Sequence, residues 1–120
     1  MTPNEFRQAF ESFRDQANRE ALASKSSHKA YLELTSIYGR FDSDERAIAD
    51  TVLIAWLESD DESKRWDAEA LIRDHRVVGA VPALRALADR LEASNEPGAP
   101  YEWAKVNRLL AHLANPEDHP

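Results

Sequence analysis

Ser59-Asp60-Asp61-Glu62-Ser63-Lys64-Arg65-Trp66-Asp67-Ala68-Glu69-Ala70-Leu71-Ile72-Arg73-Asp74-His75, followed after a short turn by Val81-Pro82-Ala83-Leu84-Arg85-Ala86-Leu87, is the stretch that decides the fold. The acidic turn places three carboxylates at the positive end of a helix dipole, so a helix opens there. Ala68, Leu71, Ile72 and His75 recur at helical spacing and define its inward face. Pro82 then sits in the first turn of the next helix, where a missing N–H costs little, and Leu84, Leu87, Ala88 and Leu91 continue inward. Upstream, an apolar helix ends in Trp56-Leu57. Downstream, another carries Trp103, Val106, Leu109, Leu110 and Leu113. Helices that bury each other in pairs and then repeat make an α-solenoid.

Working outward, start and stop signals mark six helices. Thr2-Pro3-Asn4-Glu5 is a capping box with proline at the first helical position. Phe6, Phe10, Phe13 and Ala17 then form one buried face, which fades near Leu22. Ser24-Lys25-Ser26-Ser27 is a polar break, with Ser27 as a candidate cap. The second helix carries Tyr31, Leu34, Ile37 and Tyr38 and stops at Gly39; Phe41 is placed to pack under the turn. Asp42-Ser43-Asp44-Glu45 opens the third helix, through Ile48, Ala49, Val52, Leu53 and Trp56. The loop Ser94 to Pro100 precedes a sixth helix expected from Tyr101, which Asn115-Pro116 ends. The pattern predicts an all-α fold of three antiparallel hairpins: an irregular N-terminal hairpin or cap over 1–39, then hairpins over 42–75 and 79–114. Together they make one domain, 1–114, with a tail at 115–120 expected to be mobile.

Composition agrees. The chain has 120 residues, 42% of them hydrophobic, and only three glycines, with abundant helix formers. Without cysteine there is no disulfide framework, no thiolate nucleophile and no cysteine zinc site. The longest apolar run, Val52 to Leu57, is far short of the roughly 20 residues that span a bilayer. Met1-Thr2-Pro3-Asn4-Glu5 lacks the basic start and apolar stretch of a signal peptide, so a cytoplasmic location is expected, with no membrane partner. Net charge is −7, from 22 acidic against 15 basic residues. Such a surface repels phosphate backbones and disfavours nucleic acid, while steering a basic protein partner inward.

An offset of 38 residues carries Ala68 onto Val106, Leu71 onto Leu109 and Ile72 onto Leu110, within the period range of helical repeats. Asp60-Asp61, then Arg65-Trp66-Asp67-Ala68-Glu69-Ala70-Leu71-Ile72, then Val81-Pro82-Ala83-Leu84 resembles a HEAT-like (armadillo-type) repeat across roughly residues 45–114. That resemblance implies a short α-solenoid whose second helices line a concave, partner-binding face.

Catalytic chemistry finds no motif. His28, His75, His112 and His119 do not form a metal-binding pattern, and neither a phosphate loop nor a nucleophile elbow occurs. Asp42, Asp44, Asp60 and Asp61 are accounted for as helix caps. No cofactor is expected, and the chain reads as non-enzymatic.

The aromatics divide by helical position. Trp56 falls within the stripe of Ile48, Ala49 and Val52, and Trp103 beside Val106 and Leu110, so both are expected in the core. Trp66 points about 170° from the Ala68–Leu71 stripe, at about 100° per residue, and Tyr101 also lies off its own. Trp66 is therefore either an inter-repeat contact or an exposed residue with the composition of an interface hot spot. The resemblance implies a contact surface of Arg65, Trp66, Glu69, Arg73, Tyr101, Glu102, Lys105 and Arg108. The function expected is protein binding by a monomer or weak homo-oligomer, in its sharper form an immunity protein that neutralises a basic toxin. The alternative is a HEAT-like enzyme, similar to bilin lyases or DNA glycosylases.

Overall fold

The computed structural model describes residues 2–24 and 27–114. These residues form six α-helices and no strand: α1 (Pro3–Ser24), α2 (Ser27–Gly39), α3 (Ser43–Leu57), α4 (Glu62–His75), α5 (Val81–Ala93) and α6 (Ala99–Ala114). A 3-10 turn, Val78–Ala80, leads into α5. The chain divides into two compact units, the division falling inside α3 after Val52.

The helix starts follow the side-chain chemistry. Glu5 N–H donates to Thr2 Oγ1 at 3.1 Å while Thr2 N–H donates to Glu5 Oε1 at 3.1 Å. Asp42 and Glu45 repeat this exchange at 2.8 and 3.0 Å ahead of α3. Each reciprocal cap satisfies two N–H groups the helix leaves orphaned. At α4 the capping residue is Asp61, whose Oδ1 accepts from Ser63 N–H at 2.9 Å, and Ser59 Oγ accepts from Asp61 N–H at 3.0 Å. The last helix starts at Ala99, two residues before the expected Tyr101, because Pro100 fits its first turn. The cap expected from the Ser27 side chain and the mobile tail expected at 115–120 lie outside the described residues.

In the first unit α1 packs along α2. Ala17, Ala21 and Ala30 cluster where small side chains let the helices approach. Phe41 crosses the turn as expected: its ring lies 4.9 Å from Phe6 and 5.5 Å from Phe10, both edge-on, and 5.9 Å from Tyr38. The Tyr38 hydroxyl donates to Asp50 Oδ1, and the Arg46 guanidinium lies 5.1 Å from the Tyr38 ring centre. Burial and the Asp50 carboxylate push the Tyr38 phenol above its ordinary range. Leu22, where the stripe fades, is exposed.

In the second unit α6 packs along α5 and against α4. The buried residues include Trp56 and Leu57 at the end of α3, Ala68, Leu71 and Ile72 on α4, Leu84, Leu87 and Leu91 on α5, and Val106, Leu109 and Leu113 on α6. His75 and Leu110, expected inward, are only half-buried. Arg90 Nη2 donates to the Leu57 carbonyl at 2.8 Å, placing a cation at the negative end of α3. Helix α4 ends on Arg76, the one non-glycine residue at positive φ (52°) among those described. Arg76 tolerates that conformation while its Nη1 reaches α6, 3.2 Å from His112 Nε2 and donating to the His112 carbonyl at 3.3 Å. No helix among the described residues is long and apolar enough to cross a membrane.

Candidate functional site

The eight residues expected on one contact surface come from α4 (Arg65, Trp66, Glu69, Arg73) and α6 (Tyr101, Glu102, Lys105, Arg108), and the fold treats them in two ways. Glu69 and Glu102 are each 1% exposed, so both leave the surface and enter the helix contact. This corrects the expectation for them. The reason lies in their neighbours: Arg65 Nε donates to Glu102 Oε2 and Arg65 Nη2 to Glu102 Oε1, each at 2.9 Å. A bidentate guanidinium is the partner that lets a carboxylate be buried. Arg65 Nη1 also donates to the Ser59 carbonyl at 3.0 Å, fixing the turn before α4. Arg65 is thus a structural cation, largely withdrawn from solvent.

Glu69 stands beside Glu102, and no N–H or O–H of another described group donates a hydrogen bond to it. Lys105 Nζ lies 3.5 Å from Glu69 Oε1. The neighbouring Glu102 carboxyl disfavours a second negative charge on Glu69. Burial, reinforced by the adjacent Glu102 carboxyl and only partly opposed by Lys105, pushes Glu69 up to about 9. At Glu102, burial acts upward too, but the hydrogen bonds from Arg65, the neighbouring Glu69 carboxyl and the charges of Arg65 and Lys105 outweigh it, holding that carboxyl below its usual range. Across the helix contact the order is Arg65, Glu102, Glu69 and Lys105, with the proton favoured on Glu69 rather than on Glu102.

The other members remain outward. Tyr101 is 66% exposed and Trp66 40%, with Lys105 Nζ 5.2 Å above the Trp66 ring centre. Arg73 is exposed and its Nε donates to Asp74 at 2.9 Å. Arg108 is exposed as well. Trp103, expected in the core, is 39% exposed beside Leu91 and Pro100. The buried stripe of α6 runs Ala99, Glu102, Val106, Leu109 and Leu113, so it passes through the paired glutamate and leaves Trp103 at the edge.

Two pockets of opposite character open in this unit. One, about 330 Å³, is lined by Glu69, Arg73, Tyr101, Lys105, Arg108, Leu109 and His112. The other, about 610 Å³, is bordered by the acids Asp60, Glu62 and Glu96 and by the loop Ser94 to Gly98, with Arg65, Arg90 and Glu102 in its wall. Both arginines there are committed, Arg65 to Glu102 and Ser59, Arg90 to Leu57. Sequence reasoning missed His112 as a pocket residue. Its only signal is its place seven residues after Lys105, two turns along the same face.

Among the described residues no group of His, Asp and Glu converges on a metal site. No protein-family model, no curated protein and no solved structure matches this chain.

Proposed function

We propose that this chain is a non-enzymatic protein-recognition module whose contact surface is the outward face of α4 and α6. The observation that carries this reading is a pocket walled by exposed Tyr101 with Arg73, Lys105 and Arg108, and half-exposed Trp66 lying against Lys105 beside it. Tryptophan, tyrosine and arginine are the residues that dominate binding energy at protein interfaces, and a solvent-exposed tryptophan otherwise carries a hydration cost. The α1/α2 and α5/α6 pairs are consistent with a short HEAT-like solenoid, which belongs to the same proposal. A net charge of −7 draws in partners of basic overall charge. Inhibition of a cationic toxin is the sharper form of this reading.

The competing enzymatic reading draws on Glu69 and Glu102, because split carboxyls are what acid–base catalysis uses. At 1% exposure each, held by helix packing and Arg65, they favour a structural role. Affinity capture decides between the readings. A protein retained by the wild type and lost at least tenfold by Tyr101→Ala supports the recognition face. Binding of a bilin with an absorbance shift, or retention of DNA, would overturn it in favour of the enzymatic class.

A further inference from the structure

The cations around the smaller pocket are arranged against the stability of their own helix. Lys105 and Arg108 stand three residues apart on α6, so like charges stack on one face where opposite charges would stabilise it, and His112 follows one turn further along. The acid facing Lys105 is Glu69, 3.5 Å away, and burial raises its hold on a proton, which weakens that pair. Arg73 is paired with Asp74. Arg108 makes no hydrogen bond or ion pair with any described residue. Glu69, buried, is the one acid in the pocket lining, against Arg73, Lys105 and Arg108, although the chain as a whole carries −7. A concave site with an uncompensated guanidinium, an adjacent ammonium and a tyrosine wall is matched by a planar, singly charged anion.

We propose that the pocket between α4 and α6 receives one carboxylate, an Asp or Glu side chain of the partner protein, held by Arg108 and Lys105 against Tyr101. The proposal rests on the recognition reading above and adds to it the ligand class of its central pocket. It divides the electrostatics into two jobs. The acidic surface attracts a basic partner over distance, and the cationic pocket fixes its register by accepting a single acid. A carboxylate is favoured over a phosphate because its planar pair of oxygens matches the Arg108 guanidinium, and because a phosphate-rich ligand would meet the repulsion of the surrounding acids.

The test uses the full chain and two blocked pentapeptides that differ only in a central Glu or Gln between neutral residues, followed by backbone amide shifts. The expected result is saturable shifts centred on Lys105, Arg108 and His112, with the Glu peptide at least tenfold tighter than the Gln peptide. Arg108→Gln is expected to remove that difference. Arg85→Gln, an exposed arginine on α5, is expected to keep it. Equal binding of the two peptides, insensitivity to Arg108→Gln, or tighter binding of inorganic phosphate than of the Glu peptide at these amides would each overturn the carboxylate site. Failure here is separable from failure of the recognition reading. A captured protein that is lost with Tyr101→Ala but kept with Arg108→Gln upholds the face and rejects its carboxylate pocket.

Discussion

Arg65 on α4 and Glu102 on α6 are joined by two parallel hydrogen bonds of 2.9 Å, with the carboxylate fully withdrawn from water. This is the polar tie between the two helices that carry the candidate face. Removing one partner leaves a charge buried without compensation, which costs more than the pair itself contributes. Arg65→Ala is therefore expected to destabilise the fold by about 3 kcal/mol. The double variant Arg65→Met with Glu102→Leu is expected to recover most of that loss. Urea unfolding of the three proteins reads both values, and a double variant no better than Arg65→Ala would contradict the assignment.

Glu69 supplies a pH dependence of defined sign. Its folded-state value, about 9, lies above the unfolded carboxylate value of 4.5, so the folded protein holds a proton the unfolded chain releases. That contribution is complete below the unfolded value and declines as pH rises toward 9, by at most about 1.4 kcal/mol per pH unit. Glu102 has the opposite sign: its contribution is present at neutral pH and is lost only as pH falls through its lowered value. Lys105 opposes the Glu69 shift without reversing it. Glu69→Gln cannot titrate and keeps nearly the same shape. Its stability relative to wild type should rise steadily from pH 5 to pH 8.5 in chemical unfolding. Parallel curves across that range would show that Glu69 is ionised throughout.

Arg76 holds a left-handed backbone conformation that glycine adopts without strain. Its side chain offsets this by reaching the end of α6 at His112. Arg76→Ala keeps the backbone strain and loses both contacts, so it is expected to cost about 2 kcal/mol. Arg76→Gly loses the same contacts but relieves the backbone, and should be about 1 kcal/mol less damaging than Arg76→Ala. Thermal unfolding of the two variants side by side measures the difference. Equal losses would mean that the backbone stores no strain there.

The helices and several of their caps were legible because their causes are local. Thr2 with Glu5, and Asp42 with Glu45, can be paired from spacing alone, and Phe41 had only the turn to fold under. Tyr101 and Trp66 were separated from the core by the same arithmetic, and both retain substantial exposure. Glu69 and Glu102 escaped because burial of an acid depends on a partner that spacing does not reveal. Arg65 lies 37 residues from Glu102, on another helix. Reading Glu102 as a surface residue also moved the inferred centre of the α6 stripe toward Trp103, which is why that side chain was expected inside. The cationic character of the smaller pocket was equally hidden, since it arises only when Arg73 on α4 meets Lys105 and Arg108 on α6.

The central claim is that the outward face of α4 and α6 serves recognition, and Trp66→Ala tests it most directly when binding and stability are measured together. With 40% of its surface exposed, Trp66 contributes modestly to folding, so the unfolding free energy should fall by less than about 1 kcal/mol. A protein partner captured by the wild type should bind the variant at least tenfold more weakly. Unchanged capture, or a loss of stability above about 3 kcal/mol, would contradict the account and return Trp66 to a structural role.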